Sequence, residues 1–205
     1  MMLDSLLWLS GFATLIEDNA EELSELDAAI GDADHGSNMR RGTAAVLAAL
    51  TETPQLTVAD TMKQAAMVLI RSVGGASGPL YGTFFLRFSA AVEGNHLDTA
   101  DFAAAFRAGL DGVVARGKAE AGDKTMYDAL APAAAALDES AAAGDTLDQA
   151  LDRAVAAAQA GSDATVDMLA RKGRASYLGP RSIGHRDPGA TSAVLLVRAA
   201  REAVR

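Results

Sequence analysis

The sequence predicts an all-α fold, organised as one domain over residues 1–205. Three observations carry that prediction. Apolar residues recur at three- and four-residue spacing, the period of a helix with one buried face. Strictly alternating β-branched runs are absent, and the composition is rich in alanine with only 5% aromatic residues. Glycine, proline and polar breaks cut the chain into helix-sized pieces, with no low-complexity linker and no internal repeat.

The first helix is expected over residues 3–26, burying Leu7, Phe12, Leu15, Ile16 and Leu23. A second follows an aspartate-rich stretch, over 38–50, and Pro54 lies in the loop behind it. The third covers 58–73 and ends at Gly74-Gly75. Ser77 or Gly78 opens a fourth that runs to about Val92, with Pro79 in the first turn, where proline is tolerated. A polar turn over 93–96 leaves His96 exposed, and Asp98 or Thr99 caps a fifth helix to about Arg116. After a loop over 117–125, helices are expected over 126–143 and 147–159, separated by Gly144-Asp145-Thr146. Residues 163–172 read as helical again and 173–184 as irregular. The last helix covers 187–204, with Asp187 as its N-cap and Pro188 as its first residue.

Bulk properties narrow the function. The chain has no cysteine, which excludes disulfides and thiolate metal sites and suits a reducing compartment. Its three histidines, His35, His96 and His185, are too scattered for a local zinc motif. A net charge of -9 argues against general affinity for nucleic acid, whose phosphates call for a basic face. The start of the chain carries an early acid, Asp4, and no basic region of a signal peptide. No apolar run approaches the ~20 residues of a membrane span. These features predict a soluble, cytoplasmic protein.

One stretch stands out. Residues 26–38 place Asp27, Asp32 and Asp34 within eight positions and continue into His35-Gly36. Two unit charges ~4 Å apart repel by about 4 kcal/mol at an effective dielectric near 20. Either the carboxylates point apart, as in an ordinary turn or helix cap, or a cation sits between them. Magnesium, a hard ion with oxygen ligands, is the natural candidate. An EF-hand fails on register, since it would need glycine and glutamate where Ser37 and Thr43 stand.

Three further loops have related chemistry. Gly74-Gly75-Ala76-Ser77-Gly78 precedes a helix and suits a phosphate approaching free backbone N–H groups, or simply a C-cap joined to an N-cap. Gly122-Asp123-Lys124-Thr125 offers a cation and a hydroxyl, or a solvated turn. Residues 173–189 concentrate Arg174, Arg181 and Arg186 in an acidic chain, and arginine forks suit phosphate oxygens. Familiar nucleotide signatures are missing. No G-x-G occurs, and residues 112–119 fail as a P-loop because Ala119 replaces the required hydroxyl and a helix precedes the segment. No Ser-His-Asp arrangement or thiol offers a nucleophile. Carboxylates, glycine backbones and arginines together equip the chain for polyphosphate held through metal ions.

At these loops the sequence resembles the nucleotide-binding L subunits of bacterial, phosphotransferase-system-dependent dihydroxyacetone kinases. The matching segments are IGDADHGSNM (30–39), SVGGASGPLYGTFF (72–85), GKAEAGDKTM (117–126), and RKGRASYLG with RSIGHRDPGATS (171–179 and 181–192). The resemblance implies an antiparallel eight-helix barrel with ADP and two Mg²⁺ ions at one open end. It implies Asp27, Asp32 and Asp34 as metal ligands. His35, Gly36, Ser37, Asn38, Ala76 and Ser77 would lie at or near the nucleotide phosphates, and Gly117, Met126, Arg174, Asp187, Pro188 and Gly189 would complete the nucleotide site. Pro180 and Arg186 stand where Glu and Gln are commoner, at the rim, which bears on partner docking more than on nucleotide binding.

In this family ADP stays bound and serves as the phosphoryl carrier, so no protein nucleophile is implied. The implied donor is a phosphohistidine on a separate carrier subunit, and the acceptor is dihydroxyacetone on a separate K subunit. Some members also bind a transcriptional regulator, so a non-catalytic nucleotide- or magnesium-sensing module is a reading from another class. A closer alternative is the nucleotide lobe of an ATP-dependent kinase for dihydroxyacetone or another small ketose. Such lobes are often fused to a substrate lobe for which this chain has no room, which favours the separate subunit.

Overall fold

Nine α-helices account for most of the structure, a computed structural model that describes residues 3–205. They are α1 (Ser5–Asp18), α2 (Ala20–Ile30), α3 (His35–Glu52), α4 (Val58–Ser72), α5 (Ser77–Ala91), α6 (Thr99–Gly117), α7 (Tyr127–Ala143), α8 (Leu147–Ala164) and α9 (Pro188–Glu202). No strand forms among the described residues; an isolated bridge joins Leu3 to Val204. No described helix is long and apolar enough to cross a membrane.

From α2 to α8 short connections turn each helix back antiparallel to the one before, and the longer stretch over 165–187 leads into α9. Each packs on its neighbour in sequence, and α9 returns between α8 and α1. With α1 and α2 as two halves of one wall, eight rods close into an antiparallel barrel. The connections therefore alternate between its ends. At the far end, Asp4 N–H donates to the Ala203 carbonyl (3.0 Å), Val58 N–H to Asn95 Oδ1 (3.2 Å) and Thr99 Oγ1 to the Asp145 carbonyl (2.8 Å). The near end gathers the loops over 31–34, 73–76, 118–126 and 165–187, the four that carry unusual chemistry in the sequence.

The few aromatic residues do concentrated work. All six phenylalanines and the single tryptophan are buried. Trp8 meets Phe85 and Phe88 edge-on at 5.7 and 5.2 Å, and its indole N–H donates to the Leu196 carbonyl (2.9 Å). Phe102 and Phe106, near the start of α6, complete a plug toward the far end, so the near end is left open. Helix α9 is apolar on nearly every side and buries Ala193, Val194, Leu196, Val197 and Ala200, as a helix packed on several neighbours must.

Several boundaries differ from expectation. The first expected helix, 3–26, is two helices split at Asn19, whose side chain donates to the Leu15 carbonyl (2.7 Å) and competes with the backbone ladder. Helix α2 then continues to Ile30, which puts Asp27 on its last turns. Helix α3 starts at His35, three residues before the expected Asn38, because its end is capped from another helix by Asp27. Helix α8 does not stop near Gln159: Gly161 packs so close to α7 that a Cβ there would stand 2.0 Å from the Asp128 carbonyl oxygen. That oxygen has no backbone N–H four residues on, since residue 132 is proline. The helix expected over 163–172 is absent. Helix α8 ends at Ala164, a 3₁₀ turn covers Thr165–Asp167, and irregular chain follows. The segment expected to be irregular instead contains 3₁₀ turns over Arg174–Ser182, interrupted at Gly179 (φ 55°). Asp187 and Pro188 open α9 as expected, with Asp187 Oδ2 accepting from Ala190 N–H at 2.7 Å.

Candidate functional site

The three aspartates converge. Asp27, Asp32 and Asp34 each offer a carboxylate oxygen within 4.8 Å of the others. Asp27 is buried, and its Oδ2 accepts from the backbone N–H groups of Asp34 (2.9 Å) and His35 (3.1 Å). One carboxylate oxygen thus caps α3 from α2, and Oδ1 is left for another partner. The intervening chain comes very close: a Cβ on Gly31 would lie 2.1 Å from Asp27 Oδ1, so only glycine fits there. Ala33 adopts φ 63°, a left-handed conformation that costs a non-glycine residue energy and turns the neighbouring aspartates toward Asp27. Opposite ligands of an octahedral magnesium ion stand roughly 4.2 Å apart. Three ligands include at most one opposite pair and the others must stand closer, so side-chain rotation has to draw the oxygens inward; the all-oxygen donor set itself is the kind a hard cation takes.

The trio stands at the mouth of a cavity of about 520 Å³ walled by the four near-end loops. Arg174 faces the acids, with Nη2 3.0 Å from Asp32 Oδ2. The first residues of α3 and α5 line the wall, as does the cap of α9, so three helix N-termini meet there. A second cavity of about 350 Å³ adjoins the first, sharing Ala76, Leu80, Thr125, Met126, Lys172 and Gly173. Its further walls are Pro79, Val113, Ala119, Arg116 and Gly117, so it is a mainly apolar slot beside a charged mouth.

Behind the wall lies a buried polar chain. His35 Nδ1 is 3.1 Å from Ser77 Oγ and Nε2 is 2.9 Å from Ser192 Oγ. Ser192 Oγ is also 2.7 Å from the Tyr81 hydroxyl. Burial lowers the His35 pKa against the opposing pull of Asp27 and Asp34, and burial raises that of Tyr81. Asp187 is pushed up to about 7, chiefly by burial, with the Ala190 N–H and Lys124 pulling it back.

Most expected site residues line these two cavities. Asp27, Asp32, Asp34, His35, Ala76, Ser77, Met126, Arg174, Asp187, Pro188 and Gly189 line the first, and Gly117 the second. Gly36, Ser37 and Asn38 are not in either wall. Gly36 packs on α2, where a Cβ would lie 2.0 Å from the Ala20 carbonyl oxygen. Asn38 is buried against Gly74 and accepts from Arg41 Nη2 at 2.7 Å. Ser37 is exposed and donates to the Asp34 carbonyl (2.9 Å).

Lys124 does not face the cavity as a free cation. It is 1% exposed, and its ammonium donates to the carbonyls of Thr165 (2.6 Å), Met168 (3.3 Å) and His185, clamping the last near-end loop. Arg186 pairs with Asp163 (2.8 Å), and Arg181 lies on the exposed surface outside the cavity. The cations that line the mouth beside Arg174 are Arg171 and Lys172. They were hidden inside the helix expected over 163–172. Leu80 and Val113 were indistinguishable from core positions, because an apolar slot and a core use the same residues.

The chain is similar to known proteins over most of its length. The family described as the DAK2 domain matches residues 29–202. The chain is 45% identical over 195 residues to the ADP-binding subunit DhaL of PEP-dependent dihydroxyacetone kinase 1 from Listeria innocua, covering 95% of this chain and 93% of that protein. It is 44% identical over 192 residues to the corresponding subunit from Escherichia coli, covering 93% and 91%. The crystal structure of the dihydroxyacetone kinase of C. freundii superposes with a TM-score of 0.74 at 25% identity, over 98% of this chain and 34% of that one. The same kinase in complex with AMP-PNP and Mg²⁺ gives 0.72 over 96% of this chain. This chain therefore spans about a third of those crystallised chains.

Proposed function

The chain belongs to the DAK2 family, and from that premise we propose that it is the ADP-binding subunit of a phosphoenolpyruvate-dependent dihydroxyacetone kinase, acting as one nucleotide-binding domain over residues 1–205. It accepts a phosphoryl group from a phosphohistidine carrier subunit and passes it to dihydroxyacetone held on a K subunit. The reaction belongs in the cytoplasm, the reducing compartment that a cysteine-free chain suits. The observation that carries the reading is the convergence of Asp27, Asp32 and Asp34 within 4.8 Å at the mouth of a cavity with an apolar slot beside it.

Asp27, Asp32 and Asp34 would hold two Mg²⁺ ions, which when bound neutralise charge on phosphate oxygens and fix their orientation. Asp27 is held rigid by the two backbone N–H groups it accepts, so its free oxygen is presented without reorganisation. Arg174 supplies a forked cation opposite the trio. Ser77 offers a hydroxyl. Gly36, Ser37 and Asn38 lie outside the cavity wall and serve the site by packing the first turn of α3, which presents His35. Leu80, Val113, Ala119 and Met126 form a slot for a flat apolar base, with Gly117 at its edge, and Asp187, Pro188 and Gly189 fix the opposite wall. None of these groups is a nucleophile. The protein's part is binding, orientation and charge compensation at an end of the barrel open to visiting subunits.

The test is the purified protein after exhaustive dialysis. It should retain ADP and magnesium, and should form ketose phosphate with K subunit and phosphorylated carrier without added ATP. Rapid loss of ADP together with a requirement for free ATP would instead identify an ATP-dependent kinase.

A further inference from the structure

We infer that Asp128 is a positioning residue for the apolar slot, its one buried carboxylate setting where the loops of the slot wall stand. The inference rests on the reading of that slot as the seat of a nucleotide's base. The wall has two kinds of support. Pro79, Leu80 and Val113 belong to α5 and α6 and are fixed by the barrel. Ala119, Thr125 and Met126 come from the loop over 118–126, and Lys172 and Gly173 from the stretch over 165–187.

The loop over 118–126 does not hold its shape by itself. Lys118, Gly122 and Lys124 take φ of 54°, 82° and 63°, and the two lysines carry a Cβ that makes this backbone costly. Such a conformation persists only where its surroundings over-determine it. Asp128, 6% exposed, supplies that constraint. Its Oδ1 accepts from Gly122 N–H at 2.6 Å and its Oδ2 from Thr125 N–H at 2.8 Å, so the two bonds bracket Asp123 and Lys124. Hydrogen bonds to an ionised carboxylate are among the stronger ones. The carboxylate's own place is fixed, since α7 meets α8 at Asp128 with no room for a Cβ on Gly161.

The constraint passes on to the second loop. Asp123 Oδ2 accepts from Glu120 N–H (2.9 Å), and the Asp123 carbonyl accepts from Arg171 N–H (3.1 Å), next to Lys172 and Gly173. The charged mouth is anchored elsewhere. Asp27 stands on α2 and Ser77 on α5, and the stretch that carries Arg174 packs through Ala175 against Ile30 of α2. Loss of the Asp128 bonds therefore loosens the slot and spares the mouth. A base then has to restore the slot wall in order to bind, whereas a bare diphosphate does not.

The experiment titrates ADP and inorganic pyrophosphate, each with Mg²⁺, into wild type and Asp128→Asn. The amide keeps the shape and one accepting oxygen but turns an NH₂ toward the other backbone N–H. ADP binding should weaken by about tenfold, as when the slot wall is in place about one-tenth of the time, and pyrophosphate binding by less than about twofold. Gly122→Ala is the second variant, for the case that Asp128→Asn does not fold. A Cβ there meets nothing within 4 Å, so only the positive φ resists it, and the same split should appear at smaller size. Hydrogen exchange at the Gly122 and Thr125 amides should be slow in wild type and faster in both variants. Equal losses for the two ligands in a folded variant, or undiminished ADP affinity where those amides exchange faster, would overturn the role of Asp128 and leave the nucleotide site standing. Failure of the wild-type protein to bind either ligand would overturn the reading of the site, and the inference with it.

Discussion

Arg174 reaches across the cavity mouth to place Nη2 3.0 Å from Oδ2 of Asp32, joining the last near-end loop to the first. Among the described residues this guanidinium is the one ion-pair partner of the carboxylate trio. Its side chain remains 66% exposed. An ion pair that open contributes little to folding, about 0–1 kcal/mol. Its importance lies in the charge it holds over the cavity.

Arg174→Ala separates those two roles. Unfolding by denaturant should change by less than about 0.5 kcal/mol, the usual range for a surface substitution. ADP affinity in magnesium should fall by about 1.5–3 kcal/mol, the range for a hydrogen bond to a charged group. Calorimetric affinity equal to wild type would remove Arg174 from the site.

Asp32→Ala removes one oxygen donor of the trio and leaves Asp27 capping α3. Metal-dependent ADP binding should be abolished, and the helical circular dichroism should stay unchanged. Undiminished affinity would rule out a metal role for this carboxylate.

Lys124→Met tests the clamp on the last near-end loop. The variant fills the same volume but leaves the carbonyls of Met168 and His185 without the ammonium, while Thr165 keeps only the Met168 N–H at 3.2 Å. At roughly 1–3 kcal/mol for each buried group left unpaired, the loss of stability should be several kcal/mol. Protease cleavage within 165–187 should accelerate before global unfolding. A variant as stable as wild type would show that this ammonium is dispensable.

The helices were legible because their signals are local, whereas the barrel they close into was implied by the resemblance alone. Asp98, Asp187 and Pro188 mark helix starts by their own chemistry, and Gly144 marks an end with φ 74°. The crowding of the aspartates was legible in the sequence, but repulsion alone left them either pointing apart or sharing a cation, and only the resemblance favoured convergence. What the sequence hid were decisions made across the fold. Helix α3 starts at His35 because a carboxylate eight residues back, on another helix, caps it. Gly36 is glycine for the sake of α2, whose Ala20 carbonyl leaves no room for a Cβ. Lys124, written beside a threonine in a glycine turn, read as an available cation or part of a solvated turn. Its partners are three carbonyls 41 to 61 residues away, and no short window contains them.

Asp187 gives the fold a pH dependence that a single substitution isolates. Burial raises its pKa to about 7, the charges of Asp128 and Asp27 push the same way, and the Ala190 N–H and Lys124 pull against them. In the unfolded chain the group titrates near ~3.9. Between those values the folded protein holds a proton that the unfolded chain has released. Its contribution is therefore fully present below about pH 4 and is lost as pH rises through about 7. A three-unit difference corresponds to at most about 4 kcal/mol. His35 acts in the opposite sense: its lowered pKa contributes stability above the ordinary histidine value of 6.5, which is lost as pH falls below it. Asp187→Asn keeps an oxygen to accept from Ala190 N–H but cannot ionise. The difference in melting temperature between Asp187→Asn and wild type, without nucleotide or metal, should grow in the variant's favour from pH 4 to about pH 7 and then level off. The His35 contribution cancels in that difference, since both proteins retain it. A flat difference curve would mean that Asp187 ionises in the folded protein as readily as in the unfolded chain, with Lys124 compensating its burial in full.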